Sequence, residues 1–255
     1  MSGVVRDCAQ VPERRSGNDS AAVRDVIDAR DGCELFTLRT VRALAGHSMA
    51  RHTGEGEELV FVASGRGAIV TSTAEHAVEP ETGLLLGPGD HYEIVNDGPE
   101  DIYAVSVALH EPQASARSSA SVSRLADAVE QSATADRQFR IVFDADSGCP
   151  SATQFVGYIP EGAAPPHYHL YDEVIYVLDG NGVMHMGGQQ TPLGAGSCIS
   201  LPAREIHTLA NSGPGIMRVL GVFRPAGSPA EAFYPDGTPA MSAAHAEQTG
   251  AGEST

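Results

Sequence analysis

The chain has 255 residues, enough for one large domain or two of ordinary size, and 16 Lys+Arg against 33 Asp+Glu give it a formal net charge of −17. Such a surface repels nucleic-acid phosphates and anionic lipid headgroups, so neither nucleic acid nor membrane is an expected partner. No apolar run approaches the ~20 residues of a membrane helix, and residues 1–22 show no apolar signal-peptide stretch, so a cytoplasmic location is expected. The four cysteines, Cys8, Cys33, Cys149 and Cys198, lie far apart and form no Cys-x-x-Cys pair. They read as reduced thiols in a chain long enough to bury a core without staples.

Residues 1–29 are polar and read as a flexible N-terminal segment. Short Val/Ile/Leu-rich runs follow over 30–111, among them Leu35 to Val41, Glu58 to Val62, Ala68 to Thr71 and Ile102 to Leu109. Turn signals such as Ser64-Gly65 and Asn96-Asp97-Gly98 separate them. Short strands at this spacing predict an all-β sandwich or barrel. Residues 112–138 are rich in Ala and Ser, with Val122, Leu125, Ala126 and Val129 at helical spacing, and read as a linker with a short helix. The strand pattern resumes over 139–235, in runs such as Gln154 to Ile159, Glu173 to Leu178 and Met217 to Phe223. Residues 236–255 read as a flexible tail.

The two strand-rich stretches are copies of one pattern. Glu58 falls on Glu173, Gly65 on Gly180, Gly67 on Gly182, Asn96 on Asn211, Gly98 on Gly213 and His52 on His167. Every pair is separated by the same interval, 173 − 58 = 115. Six coincidences in one gapless register predict two tandem β-domains of like topology.

The second copy concentrates the chemistry. His167 and His169 stand two apart, so on an extended strand both imidazoles share a face. Glu173 opens the next apolar run, and His207 follows the Gly196 to Pro202 stretch on a later strand. Two or three imidazoles and one carboxylate suit Fe(II), Mn, Ni, Cu or Zn with positions left open for a ligand.

These residues closely resemble the two signature motifs of the cupin superfamily. The first motif spans Gly162, His167, His169, Glu173 and Gly180; the second spans Gly196, Pro202, His207 and Asn211. Two departures stand out: Gly162 is one residue too close to His167, and Arg204 occupies the glycine of the second motif. The resemblance implies two tandem cupin-type barrels (double-stranded β-helix, or jelly roll) with His167, His169, Glu173 and His207 as metal ligands. It further implies a dry interior lined by residues such as Ile175, Val177, Val183 and Val219.

In the first copy Gly54 stands for His169 and Tyr92 for His207, leaving only His52 and Glu58. That barrel is expected to be metal-free and structural; a weak site using His47, His52, Glu58 and Tyr92 is the alternative. His185 lies on a strand of the second barrel and either faces the pocket or the surface. Gln154 and Tyr158 share a strand face that can contact substrate; the opposite alternation puts Phe155 and Ile159 inward.

The resemblance to two-domain cupins of the quercetinase and dioxygenase kinds implies a metal-dependent oxidoreductase. Its expected form is a dioxygenase using Fe(II) and O2 on a small enolisable, phenolic or carboxylate substrate, with Glu173 as ligand and catalytic base. A metal-dependent isomerase, decarboxylase or hydrolase, or a non-catalytic small-ligand binder, stays open, because fold alone does not choose the reaction. A homodimer is expected, since small barrels leave strand edges best covered by pairing.

Overall fold

The structure, a computed structural model, describes residues 2–110 and 120–240. It divides into two compact units, Arg6–Asp127 and Met1–Val5 with Ala128–Thr255. Each is a β-barrel of antiparallel sheets, so the all-β, tandem-barrel expectation holds.

In the first unit a six-stranded sheet runs in the order Ser121–Arg124, Thr82–Leu86, Glu58–Ser64, Ile102–Leu109, Phe36–Ala43, Ala21–Ile27. A second sheet is built around His91–Asn96 and Gly67–Thr71. Strand alternation sets the core: Val60 with Val62, Leu84 with Leu86 and Tyr92 with Ile94 bury the i, i+2 face inside.

The second unit repeats the plan. Its seven-stranded sheet runs Val4–Asp7, Ser197–Leu201, Asp172–Asp179, Met217–Arg224, Thr153–Ile159, Gln138–Phe143, Glu130–Ser132. Its smaller sheet runs Gly162–Ala163, His207–Asn211, Gly182–Met186, Gln189–Leu193. Several strands coincide end to end in the 115 register: Thr82–Leu86 with Ser197–Leu201, Gly67–Thr71 with Gly182–Met186, and Ile102–Leu109 with Met217–Arg224.

The matched residues have matched jobs. A Cβ on Gly67 would stand 2.2 Å from the Val95 carbonyl oxygen, and one on Gly182 2.3 Å from that of Ala210, so only glycine lets the paired strand pass. Asn96 Nδ2 donates to the Ala43 and Glu100 carbonyls and its Oδ1 accepts from Gly98 N–H. Asn211 does the same with Ile159, Gly215 and Gly213 at 2.8–3.0 Å. Both asparagines are buried, and losing either strands two carbonyls and an amide. Asn211→Ala is therefore expected to destabilise the second barrel by about 2 kcal/mol or more in urea unfolding.

Three expectations are corrected. The N-terminal 1–29 is structured: Ala21–Ile27 is a barrel strand, and Val4–Asp7 is the outermost strand of the second unit's large sheet. Its charges hid the strands because they are paired, Glu13 with Arg42 and Asp19 with Arg51. The linker helix over 112–138 is replaced, in its described part, by strands Ser121–Arg124 and Glu130–Ser132 around a 3-10 turn at Leu125–Asp127; residues 111–119 lie outside the described ones. An isolated short helix is marginal, whereas Ser121–Arg124 finds the open edge of Thr82–Leu86. Val129 is 77% exposed, so its helical spacing carried no packing. In the tail, residues 236–240 are ordered, with Phe233 bridged to Pro239 and Ala240 buried; 241–255 lie outside the described residues.

The four cysteines are buried and form no disulfide. No helix among the described residues is long and apolar enough to cross a membrane.

Candidate metal centre

His167 and His207 face each other in an antiparallel bridge, each N–H donating to the other's carbonyl at 2.9–3.1 Å. That pairing brings their rings to 4.6 Å between centroids. His169, two residues along the same extended face, lies 5.4 Å from His167 and 5.8 Å from His207. One ring nitrogen from each falls within 4.8 Å of the others, and all three side chains are buried.

Their tautomers follow from their partners. Nδ1 of His167 faces the Pro165 carbonyl at 3.0 Å, that of His169 the Glu231 carbonyl at 2.8 Å, and that of His207 the Glu205 carbonyl at 2.9 Å. A carbonyl only accepts, so each Nδ1 carries the proton and each Nε2 keeps a free lone pair. Burial favours the neutral ring: it lowers His167, pushes His169 down to about 4, and drives His207 well below the usual imidazole range, helped there by the nearby His167. Three oriented, neutral imidazoles with their outer N–H groups anchored are what a divalent ion requires.

Glu173 lines the same cavity without joining the three-histidine cluster. Burial pushes its carboxyl up to about 8, and the Arg137 guanidinium offsets part of that rise. It is the second residue of strand Asp172–Asp179, paired on one side with Leu201 and on the other with Phe223.

The cavity measures about 60 Å³ and is walled by Phe139, Phe155, Ile159, Ile175, Leu209, Val219 and Phe223. At about 10–15 Å³ per water, this space suits a small substrate. Ile175 and Val219 line it. Val177 is buried in the core but does not line the cavity, and Val183 is only half-buried, with Met184 taking the inward position.

Gln154 and Tyr158 take the other strand face, and Phe155, Gly157 and Ile159 point inward instead. Tyr158 lies between Arg140 and Arg218, whose guanidinium carbons stand 5.9 and 5.8 Å from its ring centroid. Gln154 is fully buried away from the cavity. The parity was ambiguous because every residue from Thr153 to Gly157 is buried. His185 does not line the cavity but a surface groove with Met186 and Gln190, on the other side of His207.

Two contributors carried no motif signal. Glu231, beyond the last barrel strand, anchors His169 through its carbonyl and accepts from Tyr171 through its carboxylate. Arg137 projects into the cavity from the stretch read as linker. Arg204, at the motif's glycine position, has φ 68 and donates its N–H to the His169 carbonyl at 2.8 Å. The left-handed backbone explains why glycine suits that position.

The first barrel fills the corresponding space with its own bonds. Tyr92 Oη donates to Glu58 Oε1 at 3.0 Å, Ser106 Oγ donates to the same oxygen, and Arg39 stands 3.8 Å away. Burial holds the Tyr92 hydroxyl well above its usual pKa, so it remains a donor. His47 is exposed, and His52 Nδ1 donates to the Thr53 carbonyl.

Fold and site together define a double-barrel β-protein with a histidine triad suited to a metal. Residues 154–223 match the cupin domain family. The second barrel therefore belongs to the cupin superfamily by sequence, and the chain as a whole has its fold. Among solved structures, the putative glyoxylate induced protein from Pseudomonas aeruginosa aligns at TM-score 0.72 and 17% identity, over 87% of this chain and 88% of that one. Protein Ylba from E. coli aligns at 0.72 and 13%, over 87% and 90%. Oxalate decarboxylase from B. subtilis aligns at 0.69 and 12%, over 89% and 78%. A search of the curated proteins finds no match.

Proposed function

We propose that the chain is a metal-dependent bicupin enzyme whose chemistry takes place in the second barrel, as a dioxygenase acting on a small substrate. The observation that carries this reading is the trio of anchored, neutral imidazoles in a phenylalanine-walled cavity that also contains a titratable carboxyl. His167, His169 and His207 would hold the ion, with Glu173 as fourth ligand. A bound divalent ion supplies Lewis acidity and, when redox-active, electron transfer to O2. The protein's own residues do the rest. Phe139, Phe155 and Phe223 exclude bulk water, and Glu173 accepts or returns a proton at its carboxyl oxygens. In this reading the first barrel is structural, because Tyr92 and Ser106 already occupy Glu58.

A second reading, non-oxidative proton transfer as in an isomerase or decarboxylase, is favoured by one observation. Glu173 at about 8 is an acid at neutral pH and is close enough to neutrality to cycle. An oxygen-electrode assay of Fe(II)-loaded and Mn(II)-loaded protein against phenols, diketones and small carboxylic acids separates the two. The dioxygenase reading expects O2 uptake stoichiometric with substrate loss. Substrate turnover without O2 uptake selects the second reading, and no turnover with a loaded site contradicts both.

A further inference from the structure

The least expected group in the cavity is a guanidinium. The chain has no lysine and an excess of carboxylates, yet Arg137 lines the cavity with Glu173 as the one acidic group acting on it and, among the described residues, no carboxylate within ion-pair distance. Among the described residues, the one hydrogen bond its guanidinium makes runs from Nη2 to the Leu209 carbonyl. A guanidinium carries five N–H donors in a planar fork, so most of its capacity is unspent. Arg137 is half-buried, and none of its remaining donors is sealed from water without a partner; the burial it has lowers its pKa to about 10, with Glu173 the one group acting the other way.

The backbone that delivers it is strained. Arg137 closes a tight turn between Glu130–Ser132 and Gln138–Phe143, in which Ala133 N–H donates to the Arg137 carbonyl and Arg137 N–H to that of Thr134. The two central residues, Ala135 and Asp136, both have left-handed φ, 56 and 57. Asn-Gly would adopt such a turn with less strain, and each L-residue in that region costs about 1–2 kcal/mol. A neutral connector between two strands needs no such cost; backbone strain of this kind collects where a side chain must be held at a functional site.

We infer that Arg137 is the substrate-anchoring residue of the second barrel and that the substrate carries a carboxylate, received by the free donors of its guanidinium beside the histidine triad. The inference rests on the placement of the active site in this barrel and gives that site its substrate class. A carboxylate paired with Arg137 is presented edge-on by the planar fork, which leaves the rest of a small acid toward the three Nε2 atoms.

The test uses the full-length protein, both metal-free and zinc-loaded, with trifluoroacetate and its neutral isostere trifluoroacetamide followed by 19F NMR titration. Wild-type protein is expected to bind the acid at least about tenfold tighter than the amide in both forms, as a charge-assisted pair implies. Arg137→Met should abolish that preference in the metal-free protein while zinc stoichiometry and melting temperature stay near wild type. Arg137→Lys, with charge but no fork, should retain part of it. Absence of an acid-over-amide preference in wild type, or full retention in folded Arg137→Met, overturns the proposal. Should Arg137→Met not fold, Arg137→Lys decides: unchanged acid binding overturns, and weakened binding with normal zinc content supports. A wild type that takes up no zinc yet discriminates in the metal-free arm refutes the metal-centre reading and leaves the Arg137 assignment standing.

Discussion

Replacing His207 with alanine is expected to lower divalent-metal affinity by more than about 100-fold, since even the outer partners of metal-bound histidines are worth about 10–100-fold. His207 is central to the cluster: its backbone bridge to His167 aligns both rings, and its Nδ1 is anchored on the Glu205 carbonyl. Its removal leaves two ring donors and a Glu173 carboxyl that burial keeps protonated at neutral pH, so an ion binding there must also displace that proton. The fold should survive, because the apolar core of Ile159, Ile175, Val177, Met184 and Leu209 does not include the ring. His52→Ala, at the matching position of the first barrel, is expected to leave metal content unchanged. Metal analysis after dialysis reads both; a His207 variant with wild-type metal content would refute the ligand assignment. Because burial depresses the triad, protons should compete with the metal only below the ordinary imidazole range of about 6.5. Loss of metal on acidification should therefore begin at lower pH than at an exposed histidine site.

The second large effect belongs to Glu173, with opposite signs in the two states of the protein. Its folded pKa, about 8, lies above the unfolded value near 4.5. Its contribution to metal-free stability is thus fully present below pH 4.5 and is lost as pH rises toward 8. At about 1.4 kcal/mol per pH unit, that loss amounts to a few kcal/mol. The triad acts the other way: the unfolded imidazoles take up protons below about pH 6.5 while the buried ones stay neutral, so stability is also lost on acidification. Two or three depressed imidazoles outweigh the single Glu173 proton until the unfolded histidines are at least half deprotonated, so the metal-free protein should be most stable near about pH 6.5 to 7. Glu173→Gln has no carboxylate to ionise and should melt higher than wild type at pH 8.5, with little difference at pH 5. In the presence of metal the order reverses, because the ionised carboxylate is the form that can serve as a ligand. Metal binding at pH 7 should release about one proton in wild type and none in Glu173→Gln, a difference calorimetry in buffers of unlike ionisation enthalpy detects. Identical melting curves for the two metal-free proteins across this pH range would contradict the buried, neutral Glu173.

What could be read in the sequence was what recurs or what chemistry spaces rigidly. The 115 interval survived because Gly67 and Gly182 sit under a crossing carbonyl and Asn96 and Asn211 staple the same loop, so each copy had to keep them. The triad was legible because i, i+2 residues on a strand share a face. What escaped depended on partners distant in sequence. Ser121–Arg124 has too little apolar content to announce a strand, and only the free edge of Thr82–Leu86 makes it one. Tyr158 has the composition of a pocket residue, but Arg140 and Arg218 across the neighbouring strands claim its ring. Arg137 and Glu231 lie in stretches whose sequences look like connectors. Their roles come from where a strained turn and a chain segment beyond the barrel place them.

The central claim is that one divalent ion sits among His167, His169 and His207, with Glu173 beside it, and that Tyr92 and Glu58 close the matching position in the first barrel. Anomalous diffraction at the manganese edge, from crystals of the full chain grown with Mn(II), tests it directly. The account predicts one strong peak per chain, within coordination distance of the three Nε2 atoms. No peak there, or an equal peak between His52 and Glu58, would contradict it.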